Sequence, residues 1–159
     1  MNILKYLQFI NENKSYDDFF IIYKSDRFVY HITSKTAAEK ILKSGFKIGY
    51  ELNISEKRKA IYFSDKSVNC GLYARNKEGE IYENDDIGEV EINLKNLKLL
   101  NMSYRNVNSE FENHKKYKDF VVRGEIDKIP FDIDGTISFL EDGRIYEVCL
   151  KKEIANKLI

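Results

Sequence analysis

The sequence predicts a small α+β domain, on three observations. Short runs with two-residue alternation outnumber helical runs, the clearest being Ile87 to Leu94. One well-bounded helical stretch, Lys35 to Lys43, follows the first of those runs. Glycines and turn residues punctuate the C-terminal third, as between short strands. At 159 residues the chain is long enough for one buried core, and no linker, repeat or low-complexity segment divides it. A single domain is expected over 1–159, its core over about 27–150, with an N-terminal helical extension over 1–26.

Leu4, Leu7 and Ile10 give the opening an amphipathic character and predict a helix from about Ile3 to Asn13. Arg27 to Thr33 alternates as a strand, with Phe28, Tyr30 and Ile32 on the expected core face and Val29, His31 and Thr33 on the other. Ser34 suits the N-cap of the next helix, whose expected buried stripe is Ala37, Ala38, Ile41 and Leu42, and Gly45 suits its stop. Lys47 to Lys59 reads as a polar loop. Ala60 to Ser64 is a short strand with Ile61 and Phe63 inward and Tyr62 and Ser64 on the opposite side, and Ser64 or Asp65 caps a short helix running to Asn76. Lys77 to Asp86 is acidic and reads as a loop or hairpin. Ile87 to Leu94 places Val90, Ile92 and Leu94 inside. Tyr104 to Lys118 lacks a period and reads as a mobile surface segment. Strands are expected near Phe120 to Gly124, Thr136 to Leu140 and Arg144 to Leu150, with a short helix or strand extension over Lys151 to Ile159.

Composition removes several classes of function. With 26 basic and 26 acidic residues the formal net charge is zero, which gives no support for a phosphate-tracking surface. The two cysteines, Cys70 and Cys149, and two histidines, His31 and His114, have no metal-ligand spacing, and two reduced thiols are expected. Met1 to Gln8 lacks a signal-peptide layout, and no stretch approaches the ~20 apolar residues of a membrane span. The chain reads as cytosolic, in whichever cell it acts. Gly45, Gly49, Gly71 and Gly79 form no phosphate-cradling loop, and no nucleophile elbow or cysteine–histidine arrangement is visible.

Two strands carry the residues of interest. His31 and Thr33 on one, and Tyr62 and Ser64 on the other, are each expected to look away from the core. Together they would make a polar, aromatic floor for a ligand with hydroxyls and a flat ring. Each also suits an ordinary strand residue, since the chain has 11 tyrosines.

The ordered set resembles the ADP-ribosyltransferase superfamily, in its histidine–tyrosine branch of diphtheria-toxin-like and poly(ADP-ribose)-polymerase-like enzymes. Val29-Tyr30-His31-Ile32-Thr33-Ser34, followed by a helix and Ser44-Gly45-Phe46, is similar to the first motif. Ala60-Ile61-Tyr62-Phe63-Ser64-Asp65 is similar to the second, and Tyr73 follows Tyr62 at the family's spacing of 11 positions. Ile87 to Leu100 resembles the next core strand, and Asp134 to Leu150 the closing hairpin that brings the catalytic acid.

The resemblance implies a split β-sandwich flanked by short helices and NAD as co-substrate. It implies that His31 bonds the adenosine-side ribose and the backbone of the nicotinamide pocket, with Thr33 and Ser64 as secondary contacts. Tyr62 and Tyr73 would sandwich the nicotinamide. Stacking a pyridinium between phenols adds a cation–π contribution of about 0.5–2 kcal/mol.

Two departures stand out. Ile32 replaces the usual glycine after the histidine, and Ile145 falls where the acid belongs. The acid is therefore expected at Glu141, in the turn, or Glu147, two residues beyond Ile145 and so on its face. Asp119 ranks third, and His114, in a lysine-rich run, is expected to be solvated. The implied activity is single ADP-ribose transfer to a macromolecule, a protein rather than a nucleic acid on charge grounds. Stand-alone domains of this kind resemble bacterial toxins and phage-encoded modifiers, including inhibitors of CRISPR surveillance complexes. A catalytically inactive member acting as a binding or inhibitory module is the alternative. A third reading, the cousin that removes an RNA 2′-phosphate with NAD, wants a basic cleft that these motifs do not supply.

Overall fold

A computed structural model describes residues 19–47, 60–69, 86–103 and 132–159. The expected helix over Ile3 to Asn13, the loop tips, the strand near Phe120 to Gly124, and Tyr73, His114 and Asp119 lie outside the described residues.

In chain order the elements are β1 (Phe20–Ile21), β2 (Phe28–Ser34), α1 (Lys35–Ser44), β3 (Ile61–Phe63), α2 (Lys66–Asn69), β4 (Ile87–Asn93), β5 (Leu99–Asn101), β6 (Gly135–Phe139), β7 (Ile145–Leu150) and α3 (Lys152–Lys157). The class is α+β. Five strands form one sheet in the order β1-β5-β6-β7-β3, and β2 and β4 form a separate antiparallel ribbon. The larger sheet is antiparallel except for β5–β6. The sheet begins at Phe20, which pairs with Leu100, and the core takes in Ile21 of β1 and Ala155 of α3.

The main core draws on both sheets and on the helices. Val29, Val90 and Ile92 come from the ribbon, Ala38 from α1, Ile61, Phe63, Ile137, Ile145, Val148 and Leu150 from the larger sheet, and Ala155 from α3. Burying each of the large aliphatic or aromatic side chains is worth about 1.5–3 kcal/mol before chain entropy is charged. A second, smaller cluster of Ala60, Leu100, Ile133 and Cys149 lies against Tyr62, Phe19, Phe20 and Met102. Alternation along β3 and β7 puts this cluster on the other face of the five-stranded sheet.

Three expectations about facing need correction. In β2 Val29 and His31 turn toward the main core, while Phe28 is 40% exposed and Tyr30 half-buried; Ile32 is buried, as expected, but outside that core cluster. Register explains the inversion: Val29 is opposite Ile92 and His31 opposite Val90, and cross-strand partners share a face. In α1, Ala38 is buried but Leu42 is 62% exposed. In β7, Ile145 and Glu147 do not share a face. Ser138 pairs with Glu147 and Phe139 with Ile145, so Tyr146 is an extra residue. That bulge turns Ile145 into the core beside Val148, and leaves Glu147 with Cys149 on the opposite face.

Candidate functional site

The ribbon and the larger sheet meet at the Tyr30–Ser64 bridge. There Tyr30 and Ser64 exchange both backbone bonds, at 2.8 and 3.0 Å. Alternation then directs the Ile32 N–H and C=O toward the same edge, facing β3. A continued ladder would pair Ile32 with Tyr62. Instead, His31 Nδ1 lies 2.7 Å from the Tyr62 carbonyl oxygen. A side chain thus takes the acceptor that the next backbone N–H would have used, and the two sheets part at this point.

His31 is fixed from several sides. Its ring meets Phe46 and Phe63 edge-on, at centroid distances of 5.4 and 5.9 Å. Phe46 is itself held by Asn156 of α3, whose Oδ1 accepts the Phe46 N–H at 2.6 Å and whose Nδ2 donates to the Phe46 carbonyl at 3.3 Å. Burial lowers the His31 pKa from the ordinary 6.5, against the opposing effect of the Tyr62 carbonyl. The ring is therefore neutral at pH 7. Because a carbonyl only accepts, Nδ1 carries the proton and Nε2 keeps a lone pair.

Tyr62 is opposite Cys149 in the β3–β7 ladder, and its phenol packs on the smaller cluster. The imidazole and the phenol thus lie on different sides of β3, joined through the Tyr62 backbone. Ser64 is 2% exposed and its hydroxyl donates to the Asp65 carbonyl at 3.1 Å. Thr33 is half-buried opposite Gly88 on the ribbon.

The two candidate acids are separated. Glu141 is exposed in the β6–β7 turn, which Leu140 and Arg144 close by a 2.9 Å backbone bond. Glu147 is half-buried, on the same face as Tyr62 and two residues before Cys149, the partner of Tyr62 in the β3–β7 ladder. Its Oε1 accepts the Cys149 thiol at 3.3 Å. Cys149 is buried and in no disulfide, and Cys70 lies outside the described residues. Ile145, at the position aligned with the family's acid, is fully buried in the main core.

One polar residue has a role that the sequence reading missed. Asp65 was one of two expected caps of the helix, with Ser64, but its carboxylate turns from α2 to Arg27 and to the Ile145 N–H. The signal was available only as the wide spacing of Arg27, Asp65 and Ile145, which means nothing before the register is known.

Among the described residues no group of three or more His, Cys, Asp or Glu side chains could hold a metal ion, and no helix is long and apolar enough to cross a membrane. Comparison with models of known families, with curated proteins and with solved structures finds no match.

Proposed function

We propose that the chain is an NAD-dependent mono-ADP-ribosyltransferase acting on a macromolecule, a protein in preference to a nucleic acid, with Glu147 as its acid. The observation that carries this reading is the parting of β2 from β3 beside His31. By alternation the Ile32 N–H and C=O turn to the edge facing β3, a donor–acceptor pair whose pattern matches a carboxamide. Tyr62 and Glu147 share one face of β3 and its neighbour β7. The chemistry of these groups fits NAD: a reciprocal amide partner, a phenol face for a pyridinium and a carboxylate for a ribose hydroxyl.

When bound, NAD supplies an ADP-ribosyl group whose bond to nicotinamide breaks with the electron pair leaving on the ring nitrogen. Ile32 orients the carboxamide through its backbone, so the glycine usual at this position is dispensable. Tyr62 covers one face of the ring, with Tyr73 as its proposed partner. His31 holds the Tyr62 backbone in place. Glu147 accepts a hydrogen bond from the ribose 2′-hydroxyl and stabilises the positive charge that develops as nicotinamide departs. The acceptor nucleophile then takes the ribose C1.

The test is release of nicotinamide from NAD, with and without a cell lysate as acceptor source. Glu147→Gln should lower the rate about 100-fold or more, and Glu141→Gln should leave it within about two-fold. The opposite ranking would move the acid to the turn. Tyr62→Ala should weaken NAD binding about ten-fold or more in calorimetry with the fold intact.

A specific observation favours a second reading, a catalytically silent binding module: the acid's aligned position is a buried isoleucine, and the Glu147 carboxylate is already engaged by a thiol. NAD binding without nicotinamide release under any acceptor condition would select it.

A further inference from the structure

The bulge in β7 creates a difficulty that Asp65 resolves. An extra residue at Tyr146 takes the Ile145 N–H out of the regular ladder, although Ile145 is fully buried. A buried N–H must find an acceptor. Asp65 Oδ2 takes it at 2.7 Å, while the Asp65 N–H donates to the Ile145 carbonyl at 3.2 Å. The same carboxylate is gripped by Arg27, with NH1 at 2.7 Å from Oδ1 and NH2 at 2.8 Å from Oδ2. This is a two-pronged arrangement that fixes orientation as well as charge. Arg27 is tied to the ribbon through its N–H to Asn93 Oδ1 at 3.0 Å and through NH1 to the Phe28 carbonyl at 3.0 Å. One carboxylate therefore connects the start of β2, the end of β3 and the start of β7.

We infer that Asp65, oriented by Arg27, is the positioning residue that holds the β7 bulge and so aims Glu147 at the face shared with Tyr62. Without the bulge, strict alternation would give Ile145 and Glu147 the same face, and one of the two would be misplaced. Asp65 acts on Glu147 only through the backbone, and it touches no substrate. The inference rests on the proposed role of Glu147 for its catalytic consequence, but not for its geometric one.

The experiment uses the full chain in a Cys70→Ser background, in which the infrared S–H stretch reports Cys149 alone. Glu147 accepts that S–H, so Glu147→Ala defines the band for a lost acceptor. Asp65→Ala should move the band in the same direction and lower kcat for nicotinamide release about 100-fold, with KM for NAD within about two-fold. Asp65→Asn, which keeps an oxygen for the Ile145 N–H, should restore both. Should Asp65→Ala fail to fold by circular dichroism, Arg27→Met gives the same comparison, with smaller shifts in the same directions. A band and a kcat unchanged from the parent in the folded variant would overturn the inference, as would equal losses in Asp65→Ala and Asp65→Asn. A shifted band in a protein that never releases nicotinamide would uphold the positioning role and defeat the transferase reading instead.

Discussion

Protonating His31 would set a charge against Phe46 and Phe63 in the core, and burial opposes it. The folded pKa lies below the ordinary 6.5, so as pH falls the unfolded chain takes up this proton first. Stability from the neutral ring is fully present above about pH 6.5 and is lost on acidification toward the folded value. The melting temperature should therefore fall between pH 7 and pH 5. His31→Asn, whose amide can still donate to the Tyr62 carbonyl, should flatten that slope. The chain has only one other histidine, and His114→Gln should leave the slope in place. An unchanged slope in His31→Asn would assign the effect elsewhere. That His31 and Tyr62 sit on two strands was legible from the sequence, but the direction of the imidazole was not. Phe28, Tyr30 and Ile32 outweigh Val29 when β2 is considered alone. The outcome was decided by Val90 and Ile92 on β4, whose inward facing was legible and whose pairing with His31 and Val29 was not.

At the scale of elements, α1 shows how local signals succeed and where they stop. Ser34 caps it as expected, accepting the Ala37 N–H at 3.1 Å. Gly45 ends it at φ 82°, a conformation that costs a side-chain-bearing residue about 1–2 kcal/mol. Which stripe of the helix is buried depends on where it docks, and that is at Gly88 of β4. A Cβ on Gly88 would come within 2.8 Å of the Ala38 Cβ and 2.9 Å of the Lys35 Cα. Gly88→Ala should therefore destabilise the protein by about 1–3 kcal/mol in urea unfolding by forcing the helix off the ribbon. A neutral result would mean that the helix moves freely. Strand β5 was not foreseen as a separate element. The break is made at Asn96, at φ 66°, in the left-handed conformation that asparagine tolerates better than most residues. The β7 bulge had no sequence signal, since Ile145-Tyr146-Glu147 alternates well enough to pass for a regular strand.

At the scale of the molecule, the α+β class followed from counting short alternating runs, but the order β1-β5-β6-β7-β3 did not. Neighbours in space are distant in sequence: Ile61 pairs with Leu150 and Ile21 with Leu99. Such long closures are what a local pattern omits, and they make folding slow and cooperative. A chain cut after Leu140 keeps Tyr62 and His31 but loses β7, the strand joining β3 to β6. It should show no cooperative melting transition, whereas a retained one would mean that the ribbon and α1 suffice.

That arrangement has a consequence for biosynthesis. Tyr62 emerges from the ribosome far ahead of Cys149, the residue opposite it, so the strand bearing the phenol must wait with one flank bare until residues beyond 145 have been translated. An unfinished polypeptide would therefore lack the face that Tyr62, Cys149 and Glu147 share, and that face is assembled only as the last strand is made.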